Sequence, residues 1–126
     1  MKWDKQWENF YKGNEGNKYP EPSVIRFIVR NYINAVPRSS VNILDLGCGG
    51  GANLMYLARE GFSTYGIDGS STSINYAKQK LVSEKLKANV IEGEFTSLPY
   101  NSEFFDGIID AASIQHNSFE SVINII

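Results

Sequence analysis

Apolar residues change spacing along the chain, and the changes mark its elements. Trp3, Trp7, Phe10 and Tyr11 fall on one face of a helix. A Gly/Asn-rich run from 13 to 17 breaks that pattern. Pro22, with Val24, Ile25, Phe27, Ile28 and Ile33 behind it, predicts a helix over residues 23–34, its proline at the start where a missing N–H costs nothing. Residues 41–46 form a short apolar run of strand length. Leu54, Leu57 and Ala58 then return at helical spacing over 52–60, with Gly61 as the C-cap. Residues 63–68 read as a second strand. Ile74, Ala77, Leu81 and Leu86 line one side of a helix over 73–87, and Lys78, Lys80, Lys85 and Lys87 form its solvated side. Strands are expected again at 88–93 and 107–112. Phe119, Val122, Ile123 and Ile126 give a last apolar helix face behind a cap at Ser118. Strands alternating with helices predict an α/β fold: a doubly wound, mainly parallel sheet.

The 126 residues suffice for one domain with a real core. A net charge of −2 offers no basic footprint for nucleic acid. No apolar run approaches the ~20 residues of a membrane span, and Met1-Lys2-Trp3-Asp4 is no apolar signal region. The one cysteine, Cys48, excludes an intrachain disulfide and favours a reducing, cytoplasmic setting. One cysteine and one histidine make no metal-ligand set, and no Ser-His-Asp arrangement is readable.

The candidate chemistry lies where the first strand meets Gly47-Cys48-Gly49-Gly50-Gly51. A strand, a glycine turn and a helix N-terminus form a cradle for a phosphate, carboxylate or nucleoside. Gly47, Gly49 and Ala52 satisfy the dinucleotide pattern G-x-G-x-x-A. Asp45, at the strand tip, argues against a diphosphate there and for an ammonium or sulfonium group. Asp68 ends the second strand roughly twenty residues beyond Gly47, where a carboxylate accepts ribose hydroxyls in either kind of ligand site.

The stretch Ile43-Leu44-Asp45-Leu46-Gly47-Cys48-Gly49-Gly50-Gly51 resembles the first motif of class I S-adenosylmethionine (SAM) dependent methyltransferases. The run from Ser97-Leu98-Pro99 through Phe104-Phe105-Asp106 to Asp110 resembles the entry to the fourth strand of their small-molecule members. This likeness implies a Rossmann-like sheet of order 3-2-1-4, with the family's later strands missing. Residues 1–36 would form a helical extension and 37–126 the SAM-binding domain. Cofactor contacts would fall at Asp45, Gly47, Cys48, Gly49, Asn53, Asp68, Gly69, Ser70, Glu94, Phe95, Asp110 and Ala111. Asp45 would lie near the amino group of SAM and Glu94 near its adenine, although the family usually carries Asp at that place. A plain helix cap competes for Ser70.

Further roles are implied at the margins of the site. Trp7, Tyr11 and Tyr19 are candidates for a lid, and packing on the domain is the competing role. His116 follows the fourth strand and is the candidate general base; a structural role competes. Asp106 is expected to fix a turn, and Phe104 and Phe105 to cap the core below the sheet. The chain stops inside its last apolar pattern, so it reads as the N-terminal, cofactor-binding part of the family's domain, its open sheet edge to be covered by further chain or a second copy. The expected reaction is methyl transfer from SAM, giving S-adenosylhomocysteine, to a small-molecule acceptor. A nicotinamide-type dinucleotide enzyme and a non-catalytic nucleoside-binding module are the competing readings.

Overall fold

A computed structural model describes residues 19–93 and 103–110. Their elements run α1 (Pro22–Tyr32), a 3-10 turn (Arg38–Ser40), β1 (Asn42–Leu46), α2 (Ala52–Arg59), β2 (Ser63–Asp68), α3 (Ser71–Ser83), β3 (Asn89–Glu92) and β4 (Gly107–Ile109). All three strand pairings are parallel, in the order β3-β2-β1-β4. This is the expected Rossmann-like order. Asp45 stands opposite Gly66 on one side and Ile109 on the other.

The pleat sends successive side chains to opposite faces. On one face Ile43 and Ile109 pack with Val24 and Ile28 of α1, Leu57 of α2, and Phe62. A second cluster joins Leu54 and Met55 of α2 to Ile74, Ala77 and Leu81 of α3, with Cys48 and Val90. Residues 22–32 therefore share one core with the sheet. The other face carries Leu44, Leu46 and Ile67, with Tyr65, Ile91, Phe105 and Ile108 around them. The rings of Tyr65, Phe104 and Phe105 meet edge-to-face at 5.0–5.5 Å; Phe105 packs on that side of the core as expected, whereas Phe104 lies exposed against the other two rings.

The ends of the helices follow cap chemistry more than apolar spacing. α1 starts one residue before the expected span and stops at Tyr32. Its exit is held by Arg38, which donates to the Ile33 carbonyl at 3.0 Å and to the Glu60 carbonyl at 3.0 Å. One guanidinium thus satisfies terminal carbonyls of two helices. Gly61, at φ +91°, follows α2 as expected. α3 begins at Ser71, two residues early, because Ser70 Oγ accepts the Ser73 N–H at 3.2 Å. It ends at Ser83, well before residue 87, because Lys85 turns left-handed at φ 57°.

The β1–β4 junction is fixed as expected by Asp106. Its Oδ2 accepts the Asn42 N–H at 2.8 Å, and its carbonyl accepts the Tyr32 hydroxyl at 2.7 Å. Among the described residues, no helix is long and apolar enough to cross a membrane.

Candidate functional site

The site is built where β1, β2 and β4 end. Beyond Leu46 the chain turns through Gly47, Gly49 and Gly51 at φ 69°, 54° and 94°. These are left-handed values that a side chain resists, so the turn needs glycine at alternate positions. The loop is pulled back onto β2, since the Gly47 and Cys48 N–H groups both donate to the Ile67 carbonyl, at 2.8 and 3.1 Å. Gly51 then caps α2 without a side-chain acceptor.

Close approach of loop and helix to the sheet depends on Gly66. A Cβ there would sit 2.9 Å from Leu54 Cδ1 and 3.2 Å from Cys48 Sγ. Gly66 is not among the site residues expected from the sequence. A glycine inside a strand run was the signal available for it.

Asp68 holds two loops together. Its Oδ2 accepts the Gly49 N–H at 2.6 Å, and its Oδ1 accepts the Ser70 N–H at 2.9 Å. The side chain thus ties the loop after β1 to the turn after β2, through Gly69. Ser70 is the α3 cap described above, and its side chain is buried.

Asp45 is in a different state. It is 1% exposed, and among the described residues neither carboxylate oxygen has a hydrogen-bond partner. Burial pushes its carboxyl well above the usual carboxylate range, and the charges of Asp68 and Asp110 push it further. Asp110, 4% exposed, closes the group from the end of β4. Three acids are therefore gathered at adjoining strand ends, and one of them lacks any donor. Buried polar groups are normally paired, so Asp45 stands out among the described residues. No described group of His, Cys, Asp and Glu is arranged to hold a metal ion.

The other expected positions divide. The Cys48 side chain belongs to the core beside α2 and α3. Burial pushes its thiol well above the ordinary range, aided by Asp45 and Asp68, so Cys48 is no ready nucleophile. Asn53 Oδ1 accepts the Glu21 N–H at 2.9 Å. That bond draws the chain leading into α1 over the first turn of α2, and Tyr19, exposed, lies two residues upstream. Trp7, Tyr11, Glu94, Phe95, Ala111 and His116 lie outside the described residues.

Comparison with known proteins agrees with this geometry. Residues 43–125 match the family model described as a methyltransferase domain. An uncharacterised methyltransferase of Schizosaccharomyces pombe is 36% identical over 83 residues, which cover 66% of this chain and 54% of that protein. The ubiquinone biosynthesis O-methyltransferase of Bartonella tribocorum is 30% identical over 87 residues, 69% of this chain and 35% of that one. The chain thus spans about half the length of the first relative and about a third of the second. Among solved structures, a TehB-like SAM-dependent methyltransferase from Corynebacterium glutamicum superposes with a TM-score of 0.56 at 28% identity, over 88% of this chain and 53% of that one. With this sheet order, this glycine turn and a family match over most of its length, the chain belongs to the methyltransferase domain family.

Proposed function

We propose that the chain is the cofactor-binding part of a SAM-dependent methyltransferase acting on a small-molecule acceptor. The observation that carries this reading is Asp45, buried without a donor between Asp68 and Asp110 and beside the glycine turn. A dinucleotide would bring pyrophosphate, a second negative charge, to that place. SAM brings an ammonium and a sulfonium, which offset the buried charge. When bound, SAM supplies a methyl group already activated by its positive sulfur.

The residues of this chain would bind and align. Asp45 would face the ammonium, with backbone groups of Asp110 and Ala111 near it. Gly47, Cys48 and Gly49 would border the methionine part through their backbones. Asp68, with Gly69 and Ser70, would meet the ribose hydroxyls, and Glu94 and Phe95 the adenine. The orientation of donor and acceptor, with water kept out, then does most of the work. His116 would take the acceptor's proton where the acceptor is a weak nucleophile, and Trp7, Tyr11 and Tyr19 would close over the pocket. The small-molecule class is supported by the likeness of the stretch ending at Asp110 and by a relative named for O-methylation in ubiquinone biosynthesis.

Calorimetric titration of the chain with SAM, S-adenosylhomocysteine and NAD tests the reading. SAM and S-adenosylhomocysteine should bind and NAD should not. NAD binding alone would replace the proposal with the dinucleotide one. Transfer of a labelled methyl group to extracted metabolites then separates an enzyme from a binding module.

A further inference from the structure

The group at the end of β1 has an unbalanced supply of donors. Asp68 receives the Gly49 and Ser70 N–H groups, whereas Asp45 receives none among the described residues. The titratable groups facing Asp45 are Asp68 from β2, Asp110 from the end of β4 and Cys48 in the loop; among the described residues no cation does so. From α2 and the strands the nearby contributions are Leu54, Gly66 and Ile109, which carry no charge. An isolated carboxylate cannot stay ionised in such a place at reasonable cost, and neutralises instead.

We infer that Asp45 carries a proton in the ligand-free chain at neutral pH, and that a cationic ligand group docking beside the glycine turn expels it to solvent. The balance is simple. A neutral carboxyl and a cation become a carboxylate–cation pair, and one proton passes to the buffer. The proton occupies the place of the cation until the cation arrives. Asp68 is already met by two donors, whereas Asp45 is met by none among the described residues.

Two consequences follow for binding. Each ligand molecule bound releases up to one proton. Apparent affinity rises by up to tenfold per pH unit while Asp45 is protonated in the free chain, then levels off once it is ionised. The identity of the cation as the SAM ammonium rests on the proposed function; the protonation of the free chain does not.

The test therefore begins without ligand. Infrared spectra of the free chain at neutral pH should show a protonated-carboxyl carbonyl band. It should shift on labelling aspartate with carbon-13, fade as pH is raised, and be missing from Asp45→Asn. A free chain without that band overturns the inference, whatever it binds. Because the labelling and the pH titration use the unaltered sequence, a poorly folding variant would not obscure the result. SAM is then titrated calorimetrically at neutral pH in two buffers of different ionisation enthalpy. Release approaching one proton per SAM, with loss of the infrared band, is expected. Binding without proton release overturns the displacement step alone. A band with no SAM binding overturns the identity of the ligand, and with it the displacement, but upholds the protonated Asp45 of the free chain.

Discussion

Replacing Asp68 with Asn separates bracing from ligand contact. The two side chains have nearly the same shape, but Asn keeps one acceptor oxygen and turns an NH2 toward the other backbone donor. Asp68 is fully buried and holds Gly49 at 2.6 Å and Ser70 at 2.9 Å. The variant loses one of these two charge-assisted bonds and leaves an N–H facing an N–H. A hydrogen bond to a charged group is worth about 1.5–3 kcal/mol, so Asp68→Asn should destabilise the free chain by roughly that amount. One opposing effect needs weighing, because removing a charge beside two other acids relieves repulsion. If Asp45 is already neutral, its share of that relief is absent. Urea unfolding of wild type, Asp68→Asn, Asp45→Asn and the double variant at pH 7 measures both quantities in one cycle. The expected coupling between the two sites is below about 0.5 kcal/mol, the scatter of independent sites. Asp68→Asn as stable as wild type would refute the bracing role. A coupling above 1 kcal/mol at pH 7, in the sense of relieved repulsion, would refute a neutral Asp45 as well.

Three further changes probe the same region and its supports. Gly66→Ala should cost about 1–3 kcal/mol in urea unfolding, because its Cβ would lie 2.9 Å from Leu54 Cδ1 and 3.2 Å from Cys48 Sγ, and the fully buried Leu54 side chain must shift within a filled core; a neutral result would mean that Leu54 moves aside freely. The pH dependence of Asp45→Asn follows from the raised Asp45 carboxyl: the folded chain binds a proton that the unfolded chain has released, so wild type loses stability as pH rises from about 3.9, by at most about 1.4 kcal/mol per unit, until the folded group ionises. Asp45→Asn escapes that loss, so its stability relative to wild type should improve between pH 4 and pH 7 in thermal melts, and a constant difference would contradict the shift. Lys85→Gly should stabilise by about 0.5–1 kcal/mol, since Lys85 ends α3 at φ 57°, where only glycine rests without strain; a loss of stability in the same melts would show that the Lys85 side chain contributes more than its backbone costs.

The strands and helices were legible because local signals agreed, whereas the strand order followed from the likeness to the methyltransferase family. Residues 41–46 form an apolar run of strand length, residues 63–68 carry the strand formers Thr64, Tyr65 and Ile67, each stretch is closed by a turn, and the spacing of Leu54, Leu57 and Ala58 is helical. The helix ends were less legible, since they depend on single caps. Ser70 starts α3 early with one hydroxyl, and Lys85 stops it by a backbone turn that apolar spacing does not record. The role of Arg38 has no signal in the sequence, because its two carbonyl partners, at the ends of α1 and α2, become neighbours only when both helices lie on the sheet. The candidate site shows the same division more sharply. That acids would stand at 45 and 68 could be read from the strand tips. Which acid would receive the loop's N–H groups could not, because Gly49 and Ser70 belong to different loops and converge on Asp68 only in the folded chain. The two acids look alike in sequence, yet folding leaves one braced and the other bare. Since a cation is drawn most strongly to the carboxylate with least compensation, that uneven sharing of donors, more than the number of acids, decides where the charge of a ligand settles.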